Sequence, residues 1–264
     1  MVVSGAREAE SVSGAERRAV IWHELECGSY AVDLPLWLEL ADESRARTQG
    51  GPILDIGAGS GRVALALARA GHAVTALDLD EALLGQLARA AGPLPIETAR
   101  ADAREFTLAR RDYALCIAPM QTVQLLGGPA GRVAFMRRVR EHLLPGAQLA
   151  CAIVTELEPF DCTAGGPSPS PETLSADGLT YVSRAVRVAL TRRGARIERE
   201  RSIEVREHGR TRVLHGERDV IELDRVSVAG LRQEGRAAGF EPAGPRTIAE
   251  TDEHVGSRVV VLRA

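Results

Sequence analysis

The sequence predicts an α/β fold: a doubly wound, mostly parallel sheet with an antiparallel β insertion near the C-terminus. Three observations carry this expectation. The apolar run Ile53–Ile56 ends in the turn Gly57-Ala58-Gly59-Ser60-Gly61, and a helix rich in Ala, Leu and Val follows at once. Apolar strands then alternate with helical stretches as far as residue 155, the pattern of βαβ units. Beyond residue 177 the rhythm changes. Three stretches there alternate apolar and polar residues and break at Arg193-Gly194 and His208-Gly209, which are hairpin signals.

Taken in order, residues 1–17 lack an apolar signal core, carry acids and read as a flexible tail. Residues 18–48 read as a helical lid, with helices over 19–25 and 34–40 and Tyr30 between them. Trp22 and Trp37 on these helices read as core or pocket wall. A cofactor-binding α/β core spans 49–155. Its strands are expected at 53–56, 72–78, 95–99, 113–118 and 148–155, with a helix over 132–143 closed by Leu144-Pro145-Gly146. Residues 156–175, rich in Pro, Gly and Ser, signal a loop. Together with the antiparallel strands at about 177–225 they form an insertion (156–225) whose alternating arginines read as a solvated face. Residues 226–264 return to the core: a helix over 227–238, Gly239 as its cap, then strands over 242–248 and 255–262.

A glycine-rich turn between strand and helix lets backbone approach a ligand, and the helix N-terminus favours negative groups. The dinucleotide fingerprint G-x-G-x-x-G fails here, because its third glycine falls on Arg62. A P-loop needs lysine, and all 33 Lys+Arg residues are arginine. The absence of lysine also excludes Schiff-base chemistry. Asp78, twenty-one residues after Gly57, ends the second strand, where an acid can accept ribose hydroxyls. Asp102 follows the third strand, where an acid can accept the exocyclic amine of adenine.

The segments LDIGAGSGR (54–62), LDLD (77–80), ADA (101–103), CIAPMQ (116–121) and LLPGAQL (143–149), in that order and spacing, resemble the class I S-adenosylmethionine-dependent methyltransferases. The likeness is to small-molecule methyltransferases of actinobacterial type. It implies a Rossmann-like methyltransferase fold with seven strands, and S-adenosylmethionine as cofactor. It implies that Gly57, Gly59 and Gly61 line the cofactor's methionine end. Asp78 would bind the ribose and Asp102 the adenine amine, with Ala118 and Pro119 beside the sulfonium. Ala58, Leu79 and Ala103 complete the expected cofactor set. Asp55 either orients the loop or caps the turn. Tyr30 is either a lid residue over the cofactor or an aromatic packed at a helix junction. The family's last hairpin brings the loop 249–254 to the ligand-binding edge, and His254 with it.

Transfer from a sulfonium needs alignment and exclusion of water, and a base where the acceptor is a hydroxyl or ammonium. His254 is the candidate base, or else a surface-loop histidine. Gln121 and Gln124 are candidates to hydrogen-bond the acceptor, or else only helix caps. No metal is needed. The acceptor atom, N, O or C, is not legible. A net charge of −3 argues against nucleic acid, and no apolar run is long enough for a membrane helix. Four cysteines without a CxxC pair suggest a reduced, cytoplasmic setting. In similar methyltransferases such an insertion covers the acceptor pocket or contributes to a dimer contact, and its edge strands favour pairing between chains as a homodimer. Competing readings are a nucleic-acid or protein methyltransferase and a non-catalytic S-adenosylmethionine-binding module. The first is disfavoured because Ala118-Pro119-Met120-Gln121 lacks the Asn/Asp-Pro-Pro-aromatic form. An NAD-binding protein is disfavoured by Arg62 and Asp102.

Overall fold

The computed structural model describes residues 14–48, 50–163, 165–251 and 254–264. The expected tail over 1–13, and Asp252 and Glu253 of the last loop, lie outside the described residues. The chain forms two compact units. One holds the described residues up to Tyr30, Pro159–Ala189 and Ile197–Ile221; the other holds Ala31–Glu158, Leu190–Arg196 and Glu222–Ala264.

The larger unit is the α/β core. Its elements run α2 (Leu34–Thr48), β1 (Ile53–Ile56), α3 (Arg62–Arg69), β2 (Val74–Asp78), α4 (Glu81–Ala91), β3 (Ile96–Arg100), β4 (Tyr113–Ala118), α5 (Gly128–His142) and β5 (Leu143–Ile153). Here α1 denotes the helix over 14–23 that opens the other unit, four residues of which fall in the stretch expected as tail. After the insertion come α6 (Val228–Ala237), β11 (Glu241–Pro242), β12 (Arg246–Ile248) and β13 (Ser257–Arg263). The sheet order is β11-β13-β5-β4-β1-β2-β3, with β12 also on β13. β1 to β5 pair in parallel, and β13 runs antiparallel to β5. The order reverses between β1 and β4, the switch point where open α/β sheets bind ligands. The strand expected over 242–248 is split in two. Ala243 donates to Val261 O at 2.8 Å, but Pro245 has no N–H to continue the ladder. Pro145-Gly146 lies inside β5 as a register shift and does not precede the strand.

Apolar positions on both faces of the central strands explain the parallel pairing: β1 and β4 are buried at every residue. Phe106, Phe135, Met136, Leu149, Leu231 and Leu262 fill one layer of the core. Where the chain returns from the insertion, Arg132 is only 3% exposed and bridges two elements. It donates to both oxygens of Glu234 on α6 at 2.8 Å and to Asp224 at 2.9 Å.

The smaller unit holds α1, which continues as a π-helical turn over Glu24–Gly28, and most of an antiparallel sheet, whose strand ends at 190, 194–196 and 222–224 belong to the larger unit. Its strands are β6 (Phe160–Asp161), β7 (Glu172–Ala176), β8 (Leu179–Leu190), β9 (Gly194–Glu207) and β10 (Arg210–Asp224), in the order β10-β9-β8-β6 with β7 also on β8. The expected three strands are therefore five, because part of the stretch 156–175 pairs with β8. His208-Gly209 turns with φ of 51° and 78°, the left-handed pair a tight hairpin requires. Trp22 and Tyr181 pack edge to face at 5.1 Å in a small core with Ile21, Leu25 and Ile203. Not all the arginines of this sheet form a solvated face. Arg199 and Arg201 converge on Glu26, and Arg201 donates to both its oxygens at 2.7 Å. Burial pushes the Glu26 carboxyl up, but Arg201, Ser183 and Arg199 outweigh it and hold Glu26 below the usual range.

Replacing Arg132 with Ala leaves two carboxylates facing each other without their cation. The expected loss is about 3 kcal/mol of unfolding free energy, measured by urea titration at pH 7.

Candidate functional site

β1 gives way to α3 through five residues, and three of them take conformations that side chains resist. Gly57, Gly59 and Gly61 have φ of 70°, 55° and 96°. A Cβ on Gly57 would lie 2.7 Å from the Thr122 side chain, and one on Gly61 would run into Leu87. The turn is pinned to β2. Gly57 and Ala58 N–H donate to Leu77 O at 2.8 and 3.1 Å, and Gly59 N–H donates to Asp78 Oδ2 at 2.8 Å. The other oxygen of Asp78 accepts from Asp80 N–H at 2.9 Å. Asp78 thus holds the glycine turn at the sheet's C-terminal edge and remains partly exposed. Leu79 beside it is 62% exposed, a large apolar side chain facing away from the core.

Asp55, in the middle of β1, is buried, and neither carboxyl oxygen has a hydrogen-bond partner among the described residues. Burial pushes its pKa up to about 8, with a further push from Asp78 and Asp33 and against the pull of the Arg62 charge and of the Ala64 backbone N–H, which approaches the carboxyl without completing a hydrogen bond. Unpartnered buried carboxyls are rare because the missing hydrogen bonds cost free energy. Arg62 opens α3 and is itself clamped. Its guanidinium donates to Asp33 Oδ1 at 2.5 Å and to Oδ2 at 2.8 Å, and Trp37 Nε1 donates to the same Oδ2 at 2.8 Å. Asp33 is fully buried and its carbonyl starts α2 by accepting from Leu36 and Trp37 N–H. Sequence reading used Arg62 only as a missing glycine and passed over Asp33. The available signal was an acid just before Leu34-Pro35, a helix-start pattern.

At the end of β3, Asp102 is gripped by Arg104, whose Nε lies 2.9 and 3.1 Å from the two oxygens and whose Nη2 lies 2.5 Å from Oδ2. These side-chain bonds, with the Arg104 N–H, hold the Asp102 carboxyl below its ordinary range. Ala103 is buried next to it. At the end of β4, Ala118 and Pro119 are buried, and Met120 takes φ of 54°. A left-handed non-glycine residue costs about 1–2 kcal/mol, and this one sits where β4 meets the glycine turn through Thr122. Gln121 is partly exposed, and its amide makes no hydrogen bond among the described residues. Gln124 differs from the expectation. Its amide donates to Val154 O at 3.2 Å and Asp224 O at 2.9 Å and accepts from Val154 N–H at 2.8 Å. Both amide hydrogens are committed to backbone, so Gln124 braces the two ends of the insertion and has none left for an acceptor.

β13 begins beside the end of β5, with Arg258 opposite Ile153, so the loop carrying His254 lies at the C-terminal edge. His254 is half-buried, its N–H donates to Thr251 Oγ1 at 3.0 Å, and its carbonyl accepts from Thr251 N–H at 2.9 Å. Tyr30 is buried and belongs to the smaller unit, not to the unit that holds the glycine turn.

The glycine turn, the orphaned Asp55 and the acids ending β2 and β3 make a cradle suited to a ligand with a cationic head and an adenosine-like tail. Residues 53–146 match the family model described as a methyltransferase domain. No curated protein sequence matches the chain. Solved structures of similar fold include CalS10, an amino pentose methyltransferase from Micromonospora echinaspora bound to S-adenosylmethionine. It has 21% identity and a TM-score of 0.65 over 97% of each chain. KedS8, a sugar N-methyltransferase from Streptoalloteichus, has 16% identity and a TM-score of 0.63 over 94% of this chain and 93% of its own. DesVI from Streptomyces venezuelae has 20% identity and a TM-score of 0.62 over 86% and 91%.

Asp55 binds its proton more tightly folded than unfolded. The stability this contributes is complete below the ordinary carboxylate pKa and lost as pH rises through about 8. Without added ligand, Asp55→Asn is therefore expected to gain on the parent chain between pH 5 and pH 8, by up to about 1.4 kcal/mol per pH unit. Paired thermal melts at the two pH values measure the widening gap.

Proposed function

We propose that the chain, whose residues 53–146 match the methyltransferase-domain model, transfers the methyl group of S-adenosylmethionine to a small-molecule acceptor bearing an amine or hydroxyl. The observation that carries this reading is the buried, unpartnered Asp55 beneath a glycine turn. A buried carboxyl that completes no hydrogen bond among the described residues fits a ligand that brings an ammonium. The turn carries no side chain at Gly57, Gly59 or Gly61, so its backbone can lie close to that ligand's end. When bound, the cofactor supplies a methyl already activated on a sulfonium.

In this reading Gly57, Ala58, Gly59 and Gly61 line the methionine end, and Asp55 balances its ammonium directly or through water. Asp78 keeps its hold on Gly59 and accepts ribose hydroxyls with its remaining lone pairs. Asp102 and Ala103 take the adenine edge, with Arg104 swinging aside or stacking, and Leu79 covers the ribose side. Ala118 and Pro119 flank the reacting centre. Gln121 hydrogen-bonds the acceptor, His254 removes its proton, and Tyr30 belongs to the lid that excludes water. The names of CalS10 and KedS8 describe enzymes that methylate sugars, which supports an amino-sugar-like acceptor here. We further propose a homodimer and a cytoplasmic location. None of the four cysteines is in a disulfide, and burial holds the Cys116 and Cys151 thiols far from ionisation, which supports a reducing compartment.

Calorimetry is expected to show binding of S-adenosylmethionine and S-adenosylhomocysteine but not NAD; NAD binding alone would overturn the cofactor reading. Asp78→Ala is expected to weaken S-adenosylmethionine at least about tenfold, the worth of one charge-assisted hydrogen bond. His254→Asn is expected to lower kcat about a hundredfold with cofactor affinity unchanged. The assay follows labelled methyl transfer across a panel of amino sugars; an unchanged kcat removes His254 as the base.

A further inference from the structure

We propose that Asp33 is a positioning residue for the cofactor site: by gripping Arg62 it keeps that guanidinium off Asp55, so the Asp55 carboxyl stays open to the ammonium of the methyl donor. This rests on the cofactor reading above and adds a residue to it.

Two buried acids compete for one cation. The Arg62 charge acts on Asp55, yet only Asp33 receives the guanidinium, through bonds of 2.5 and 2.8 Å from Nη1 and Nη2. Both outer nitrogens are thereby committed to one carboxylate, the strong two-pronged form of such a pair. Asp55 feels the same charge, but neither of its oxygens has a hydrogen-bond partner among the described residues. Asp33 prevails because other groups already fix its orientation. Its Oδ2 accepts from Trp37 Nε1 at 2.8 Å, and its carbonyl accepts from Leu36 and Trp37 N–H at 3.1 and 3.3 Å. Trp37 is fully buried, so this hold does not depend on Arg62.

Helix α3 alone does not account for an arginine at position 62. Arg62 is its first residue, the preceding Gly61 supplies no capping side chain, and its first turn has no acid. A cation there opposes the helix dipole, and a capping side chain or an acid would each favour the turn. Such breaches of local rules gather at functional sites. Here the helix start carries no anion of its own, and the cation that could neutralise Asp55 is drawn sideways to α2. Asp78, the third acid of the group, spends one oxygen on Gly59 N–H and the other on Asp80 N–H. Without the charge on Asp33, Arg62 turns to Asp55, and that internal ion pair competes with the ligand's ammonium.

The test uses the full chain and substitutions that keep side-chain size. Asp33→Asn retains an acceptor for Trp37 Nε1 and loses the charge that holds Arg62. By calorimetry it is expected to bind S-adenosylmethionine about tenfold more weakly than the parent chain. Adding Arg62→Gln removes the competing cation and is expected to bring affinity back to within about twofold of the parent. A double variant as weak as Asp33→Asn would refute the proposal, because Asp33 would then be scaffold alone. Arg62→Gln by itself is expected to keep the parent's affinity; a tenfold loss would make Arg62 a cofactor contact and refute it too. Should Asp33→Asn not fold, the double variant, which leaves neither member of the pair charged, decides alone: parent-like affinity supports the proposal and weak binding overturns it. A second readout needs no ligand. Asp55 is surrounded by Arg62, Asp78, Asp33 and the Ala64 N–H. With Asp33→Asn, a paired Arg62 keeps Asp55 ionised from pH 5 to pH 8. Adding Asp55→Asn in that background is then expected to leave a constant gap in the melts, where the parent background gives a widening one. A gap that widens equally in both backgrounds would show that Arg62 never moves. A parent chain that binds no S-adenosylmethionine sinks the cofactor reading and this proposal together. A parent that binds while the double variant stays weak sinks this proposal alone.

Discussion

Gly57, Gly59 and Gly61 must all adopt positive φ for β1 to become α3 within five residues, and much of the larger unit is arranged around that constraint. The turn places the start of α3 at the switch point of the sheet. Thr122 of the β4 loop packs where a Gly57 side chain would be, and Leu87 of α4 where a Gly61 side chain would be. A turn this tight brings three carboxyl groups, Asp33, Asp55 and Asp78, within electrostatic reach of each other and of Arg62. Asp33 takes Arg62 as a bidentate partner, and Asp78 takes backbone N–H groups. Asp55 feels both Arg62 and the Ala64 N–H but completes a hydrogen bond with neither, so burial dominates and it holds its proton.

The insertion poses a different problem, because a long excursion must leave and re-enter the core without loosening it. The chain exits after Val154 and re-enters at Asp224, and Gln124 hydrogen-bonds the backbone of both. Asp224 then accepts from Gly128 N–H at 2.6 Å and from Arg132. Helix α5 is thereby fixed to the returning end of the excursion, while Gln124, just before it, holds both ends. A buried arginine satisfied by two acids is costly to break from either side, which makes it a suitable clamp for a junction.

Much of the α/β core was legible because its signals are local. Strand, glycine turn, helix and acid recur at spacings that periodicity and turn chemistry reveal, and hairpin dipeptides marked the insertion's turns. The strand β6 escaped notice because its pairing partner, β8, lies across a proline-rich stretch that reads as loop; β7 joins β8 through Asp177-Gly178, a hairpin turn with φ of 54° and 74° that the same loop reading hid. The split of the strand over 242–248 turned on one missing N–H, at Pro245. Arg199 and Arg201 followed an alternating pattern that suggests solvent, yet Glu26, far away in sequence, draws them inward.

The sequence by itself determined the βαβ order, the glycine turn and the class of ligand such a turn accepts, because these depend on residues within a few positions of each other. Tertiary structure decided which polar side chains are already spent and which remain open. Gln121 and Gln124 look alike in sequence, but only Gln124 meets Val154 and Asp224. Asp33 and Asp55 are both acids beside apolar runs, but only Asp33 receives the guanidinium of Arg62. A side chain's burial and its partners are set by residues dozens to a hundred positions away, and no local pattern encodes them.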